Sequence, residues 1–183
     1  MMTGLLQMIV GIILSFLGAL LLLRAWLYYW AFSPRHPLVE LCRRFTDWAV
    51  SPLGKIIPAK RGFDAPSVLA AFVTAVVAVL SYRMLKPWPA TPAGLVIAPF
   101  AMLLRWSLEM ISWGTIIWAV LSWVNPGHPL TYTLSTMLDP FLRPCRRILP
   151  TVGGFDLSPV LLILAANVLL IFVTPLSRGA LML

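Results

Sequence analysis

Four long apolar stretches separated by polar, basic segments set the pattern of this chain. Met1 to Leu23, Ala65–Tyr82 and Leu157–Ser177 carry no charged side chain. A hydrocarbon core about 30 Å thick needs about 20 apolar residues in helix, so these read as membrane spans at about 4–30, 65–85 and 158–177. No Lys or Arg precedes the first run and no small-residue cleavage site follows it, which argues against a signal peptide. The third span is less clean. Pro87–Leu104 is uncharged but holds four prolines, and Arg105 and Glu109 then interrupt the run before Met110–Val124. One helix from about 95 to about 124 is expected, with a re-entrant start as the alternative.

Two segments between the spans have a different period. Leu38, Leu41, Cys42, Phe45, Trp48 and Ala49 fall on one helical face, with Glu40, Arg43, Arg44 and Asp47 on the other. Leu130, Leu134, Met137, Leu138 and Phe141 stand opposite Thr131, Ser135 and Asp139. Amphipathic helices are expected at about 37–50 and 129–142, with Pro37 and Pro129 in the first turn, where proline is tolerated. They either lie in the membrane interface or pack on the protein's own spans. Pro-bounded stretches, Pro52–Pro58 and Pro144–Pro150, would then lead back to the bilayer, with Asp64 and Ser158 as N-caps of the returning helices.

Composition excludes whole classes of function. The chain has 183 residues, 60% hydrophobic and 11% charged, with a mean hydropathy of +0.91. Soluble domains run at roughly 25% charged. A water-soluble enzyme and a disordered chain are both ruled out, and 16 Pro with 11 Gly in no short period exclude a collagen-like chain. The net charge of +8 points to the bilayer rather than to nucleic acid. Arg35, Arg43, Arg44, Lys55, Lys60 and Arg61 lie between spans one and two, and Arg143, Arg146 and Arg147 between spans three and four. The opposite side has Arg83, Lys86 and Arg178. The positive-inside rule places both basic loops in the cytoplasm and both termini outside. Trp26, Tyr28, Tyr29 and Trp30 form the inner aromatic belt, with Tyr82 and Trp88 at the outer boundary.

An internal repeat runs at an offset of 92 residues. Pro34, His36, Pro37 and Leu38 recur as Pro126, His128, Pro129 and Leu130. Asp47, Pro52, Ile56 and Pro58 recur as Asp139, Pro144, Ile148 and Pro150. Gly62-Phe63-Asp64 and Val68-Leu69 recur as Gly154-Phe155-Asp156 and Val160-Leu161. These are 13 identities in 36 positions without a gap, where ordinary residue usage gives roughly two. The expected fold is therefore an all-α membrane protein of two tandem repeats, 1–91 and 92–183. Each holds two spans and a cytoplasmic amphipathic helix, and the copies run parallel about an axis along the membrane normal.

Few residues can carry chemistry. Arg105, Glu109 and Ser112 share one face of span three, and the 92-residue register places them near mid-bilayer. A charge there costs about 2.5–3.5 kcal/mol on the insertion scale, so the pair either neutralises itself between helices or lines a polar path. Arg24, one turn from the aromatic belt, is expected to snorkel to headgroups. Arg43, Arg44, Lys55, Arg143, Arg146 and Arg147 can contact anionic lipid or a partner, or serve only as the topology signal. His36 and His128 read as helix-start residues rather than haem or metal ligands. Cys42 and Cys145 read as free thiols in apolar surroundings. No Ser/His/Asp grouping, phosphate loop or zinc spacing is present, so no catalytic residue, cofactor or metal is expected. Gly11, Ser15 and Gly18 on span one, and Ser67, Ala71, Ala75 and Ala78 on span two, form small-residue faces that permit close helix contact.

The string L-D-P-F-L-R-P-C-R-R-I-L-P-T-V-G-G-F-D-L-S-P at 138–159, with L-L-L-R-A-W at 21–26 and S-W-V at 122–124, resembles the YggT family of bacterial membrane proteins. The first copy departs from it: Gly54-Lys55 stands in place of the double arginine, and Ala65-Pro66-Ser67 replaces the later triplet. The resemblance implies a protein of the bacterial inner membrane, its termini then periplasmic, linked to osmotic or potassium stress. YlmG-type relatives imply links to cell division, nucleoid distribution and maturation of a b-type cytochrome. The expected role is a non-catalytic scaffold or assembly factor, whose partners are anionic headgroups and other membrane proteins or further copies of the chain. The alternatives are a small channel or transporter component and, more weakly, a haem-maturation factor.

Overall fold

The computed structural model describes residues 2–60, 62–85, 91–148 and 156–179, the Thr3 side chain excepted. Arg61, Lys86, Trp88 and the Gly154-Phe155 pair lie outside the described residues. Six helices and no strand are present among those described: α1 (Met2–Tyr29), α2 (Pro37–Ile56), α3 (Ala65–Leu85), α4 (Pro92–Val124), α5 (Pro129–Ile148) and α6 (Ser158–Leu176). The stretches Gly4–Tyr29, Ala65–Leu85, Pro92–Val124 and Ser158–Leu176 are long and apolar enough to cross a membrane. Their flanks expose Ile12, Phe16, Val77, Leu164, Ile171 and Phe172. Surfaces of that kind, unfavourable in water, are at home in lipid. The chain is a multi-pass membrane protein.

α4 is one helix, without a re-entrant start, and begins earlier than the run of hydrophobic residues suggests. Thr91 caps it, its Oγ1 accepting the Gly94 N–H at 3.1 Å, and Pro92 occupies the first turn. α2 and α5 run past their expected ends, through Pro52 and Pro144, and α5 also takes in Pro140 within its expected length. Each of these prolines forfeits one backbone bond. All three lie on exposed faces, where the orphaned carbonyl meets solvent or headgroups, so the helices continue.

The chain divides into two compact units. One comprises Met1–Ser107 with Phe172–Leu183, and the other Leu108–Ile171. In the first, small residues let the helices close on each other. Ala75 and Ala78 of α3 and Ala98 and Met102 of α4 bury together with Trp106, while Leu21 of α1, Val50 of α2 and Ala70 and Ala71 of α3 form a second cluster. Trp106 is 1% exposed, and its indole N–H donates to Ser15 Oγ at 3.2 Å. It fits because position 18 is glycine. A Cβ there would stand 2.2 Å from the indole ring. Gly11 makes similar room for the Tyr82 hydroxyl, and Gly94 for the backbone of Gly179.

In the second unit, Met137, Leu138 and Leu142 of α5 are buried, and Leu138 lies over Gly114 of α4. Thr131 Oγ1 donates to the Asn125 carbonyl at 3.3 Å, fastening the start of α5 to the turn before it.

Candidate functional site

The site of interest lies in the first unit, where α1 ends, α2 begins and the chain turns into α3. α1 closes in a Schellman arrangement. Phe32 N–H bonds to the Leu27 carbonyl at 3.3 Å and Ala31 N–H to the Tyr28 carbonyl at 3.0 Å, with Ala31 in the left-handed region at φ 52°. Four residues on, His36 caps α2, its Nδ1 accepting the Leu38 N–H at 3.3 Å, and Pro37 takes the first helical position. His128 Nδ1 accepts from Leu130 N–H at 3.2 Å in the same way. In both histidines Nδ1 is an acceptor for the backbone, as expected of helix-start residues.

α2 is thereby laid with Cys42, Thr46 and Val50 buried and Leu41, Phe45 and Trp48 exposed. The inward face meets Arg24. One Arg24 Nη1 donates to Asp47 Oδ1 at 2.6 Å and to Thr46 Oγ1 at 2.9 Å. Its Nε stands 3.8 Å from Asp64 Oδ2. The Thr46 hydroxyl in turn donates a hydrogen bond to the Cys42 carbonyl at 2.7 Å. Asp64 caps α3, accepting the Ser67 N–H at 3.4 Å and the Ser67 hydroxyl. One guanidinium on α1 thus bridges a carboxylate on α2 and another at the start of α3. Arg24 and Asp64 side chains are 17% and 7% exposed, and Asp47 is 47% exposed. Burial pushes the Cys42 thiol up to about 11, against the opposing pull of the Arg24 charge.

Above this bridge opens a cleft of about 780 Å³, walled by Tyr28, Phe32, Val39, Arg43, Gly54 and Asp64 among others. Arg43 Nε lies 3.7 Å from Asp47 Oδ2, a loose, half-exposed pair on its rim. Beside it the chain turns between Lys60 and Phe63, whose backbones exchange hydrogen bonds of 3.1 and 3.0 Å. Gly62 sits there at φ 79°, a conformation that favours glycine.

The second unit carries the same two aspartates, bridged from elsewhere. Arg146 Nε donates to Asp156 Oδ2 at 3.1 Å and its Nη1 lies 3.7 Å from Asp139 Oδ1. Arg143 also pairs with Asp139. Asp156 in turn accepts the Ser158 N–H at 2.9 Å. It is Asp156, not Ser158, whose side chain receives the backbone at the start of α6. Burial works to raise the Asp156 carboxyl, but hydrogen bonds from Ser158 and the Arg146 guanidinium prevail, holding it below the usual carboxylate range. At the 92-residue offset, Arg146 corresponds to Gly54 and Arg24 to Ile116. The carboxylates recur while the cation changes helix.

The remaining expected site residues are spread out. Arg44, Lys55 and Arg147 are exposed and make no ion pair among the described residues. Arg105 and Glu109 stand one turn apart on α4, each half-buried, and Ser112 is buried, its hydroxyl without a hydrogen-bond partner among the described residues. Cys42 and Cys145 are free, buried thiols. Among the described residues no cluster of three His, Cys, Asp or Glu side chains could hold a metal. Arg24 does not snorkel but holds the site together. Four of the six acidic residues recur in register, which marks the carboxylates of the site but not the cation that serves them.

A family model described as CCB3/YggT matches residues 2–85 and 97–177. The chain is 32% identical over 151 residues to a protein of Escherichia coli strain K12 named YggT and described as uncharacterized, covering 81% of this chain and 78% of that protein. An uncharacterized protein of Haemophilus influenzae is 31% identical over 152 residues, 82% and 81% of the two chains. YlmG homolog protein 2, chloroplastic, of Arabidopsis thaliana is 40% identical over 53 residues, 28% of this chain and 21% of that one. No solved structure matches the chain significantly.

Proposed function

This chain belongs to the CCB3/YggT family, and on that footing we propose that it is a non-catalytic membrane scaffold or assembly factor. The observation that carries this reading is the set of α2. Its inner face is fastened to α1 through Thr46 and Asp47, while Leu41, Phe45 and Trp48 stay exposed beside Arg43 and Arg44. A rigidly held helix that offers aromatic and basic side chains together is suited to the bilayer interface and to a neighbouring membrane protein.

The scaffold is built by tandem duplication. The 13 matched positions support this, as do α2 and α5, whose first and last residues both differ by 92 positions. So do the two stretches matched by the family model. The halves insert in parallel into a bacterial inner membrane, with α2 and α5 on the cytoplasmic side and both termini outside, as the distribution of basic residues favours. Stress tolerance then reflects what the scaffold assembles.

The test is a photo-crosslinking residue at position 48 in cells. Recurrent adducts to one or a few membrane proteins, reduced by Leu41→Ser and Phe45→Ser, are expected. Adducts to lipid alone would overturn the reading. A second reading, a small channel or transporter component, rests on the buried, unpartnered Ser112 hydroxyl one turn from Glu109. Ion flux into liposomes that is abolished by Glu109→Gln would establish it and displace the scaffold.

A further inference from the structure

The rim of the first-unit cleft carries one guanidinium and one carboxylate, both accessible. Arg43 and Asp47 are 51% and 47% exposed and only 3.7 Å apart. An exposed pair of this kind is held weakly, so each group retains bonding capacity. Beneath them Arg24 faces Asp64 at 3.8 Å and takes Oδ1 of Asp47 at 2.6 Å, which leaves Oδ2 of Asp47 on the rim with only the loose Arg43 contact. A bare anion in the cleft would meet Asp47, and a bare cation would meet Arg43. Only a ligand with a positive and a negative end satisfies both.

Size and walls narrow the choice. A volume of about 780 Å³ is that of an ordinary small-molecule site, and beside Tyr28, Ser51 and the charged groups the walls are apolar: Ala31, Phe32, Pro34, Val39 and Pro66. Gly54 lines this cleft at the position where the second repeat has Arg146. We propose that this cleft binds the phosphoethanolamine zwitterion, its phosphate on Arg43 and its primary ammonium on Asp47. The carboxylate accepts hydrogen bonds, which a primary ammonium donates and a trimethylated one cannot. This goes beyond the scaffold reading and is tested separately from it, on the isolated protein.

The experiment measures binding to the purified full-length chain in detergent, by thermal shift and native mass spectrometry. The probes are dioleoyl phosphatidylethanolamine, the matching phosphatidylcholine and phosphatidylglycerol, and soluble glycerophosphoethanolamine. Because a hydrogen bond to a charged group is at stake, the ethanolamine lipid should bind about tenfold tighter than the other two. Asp47→Asn and Gly54→Arg should each abolish that preference. A Cβ at position 54 meets nothing closer than Pro66 Cγ at 3.9 Å, so Gly54→Arg fills the cleft without removing a charge. Arg43→Gln, at an exposed position, should weaken all phosphate-bearing probes. A shift with glycerophosphoethanolamine would identify the headgroup alone as sufficient, and a shift with the lipid only would add the acyl region to the site. Equal binding of the three lipids, or a preference that survives Gly54→Arg, would overturn the proposal.

Discussion

Replacing Arg24 separates a buried ion pair from an exposed one on the same side chain. The guanidinium lies 2.6 Å from Asp47 and 3.8 Å from Asp64, so distance alone ranks Asp47 first. Exposure reverses the order. At an effective dielectric constant of about 20, two unit charges about 4 Å apart attract by about 4 kcal/mol, the regime of Asp64 at 7% exposure. Asp47 is 47% exposed and also has Arg43, and pairs of that kind are worth about 0.2–1 kcal/mol. Removing the cation strands the Asp64 carboxylate, held then by Ser67 alone among the contacts described. Stranding one partner of a buried pair costs about 3–5 kcal/mol. Arg24 keeps 17% exposure, which brings Arg24→Met to about 2–4 kcal/mol. Double-mutant cycles with Asp64→Asn and Asp47→Asn, read by reversible unfolding in mixed micelles, resolve the two couplings. Coupling to Asp64 should reach about 2 kcal/mol and coupling to Asp47 should stay below about 1. A larger coupling to Asp47 would refute the reasoning, because proximity would then outweigh burial.

Other consequences are open to direct measurement. Gly18→Ala drives a methyl into the Trp106 ring, and overpacking of this kind should destabilise by about 1–3 kcal/mol, largely relieved in a Trp106→Leu background. Ala31→Gly removes the strain of a left-handed residue at the end of α1 and should raise the unfolding midpoint, by about 1 kcal/mol in free energy. The Asp156 carboxyl is held below its ordinary value of 3.8. Its stabilising contribution is therefore complete above that value and disappears as pH falls through the lower folded one, and Asp156→Asn should flatten the acid limb of a stability profile. With its thiol near 11 instead of 9.0, Cys42 should hold about a hundredfold less thiolate at pH 8 than an ordinary cysteine, so iodoacetamide should label it correspondingly slowly unless the protein is unfolded.

The helices were legible because their signals are local. Apolar length gave four spans, and His36-Pro37 and His128-Pro129 marked the starts of α2 and α5. Thr91-Pro92 is an equally plain start signal for α4, masked by the further prolines at 87, 89 and 99 on either side of it. The small residues of α1 and α3 mark contact faces, yet the rings that Gly11 and Gly18 receive, Tyr82 and Trp106, follow only from the tertiary arrangement. The bridging role of Arg24 was hidden for a similar reason. Near the end of a span, a snorkelling arginine and a paired one have the same sequence surroundings. Only the placing of Asp47 and Asp64 on one side of it distinguishes them. The stripe expected on α2 joined two faces that the fold separates. Cys42 belongs to the buried side, and Leu41, Phe45 and Trp48 to the exposed one.

The change of helix for the bridging cation has a consequence for biosynthesis. In the second half, Asp139, Arg143, Arg146 and Asp156 leave the ribosome within a short length of chain, and neutralisation follows at once. In the first half Arg24 emerges well ahead of both its counterions. Until Asp47 and then Asp64 have been translated, the Arg24 guanidinium of the nascent α1 has only headgroups and water to meet its charge. The complete bridge can therefore close only when the chain through Asp64 has been made, later in synthesis relative to its cation than in the second half.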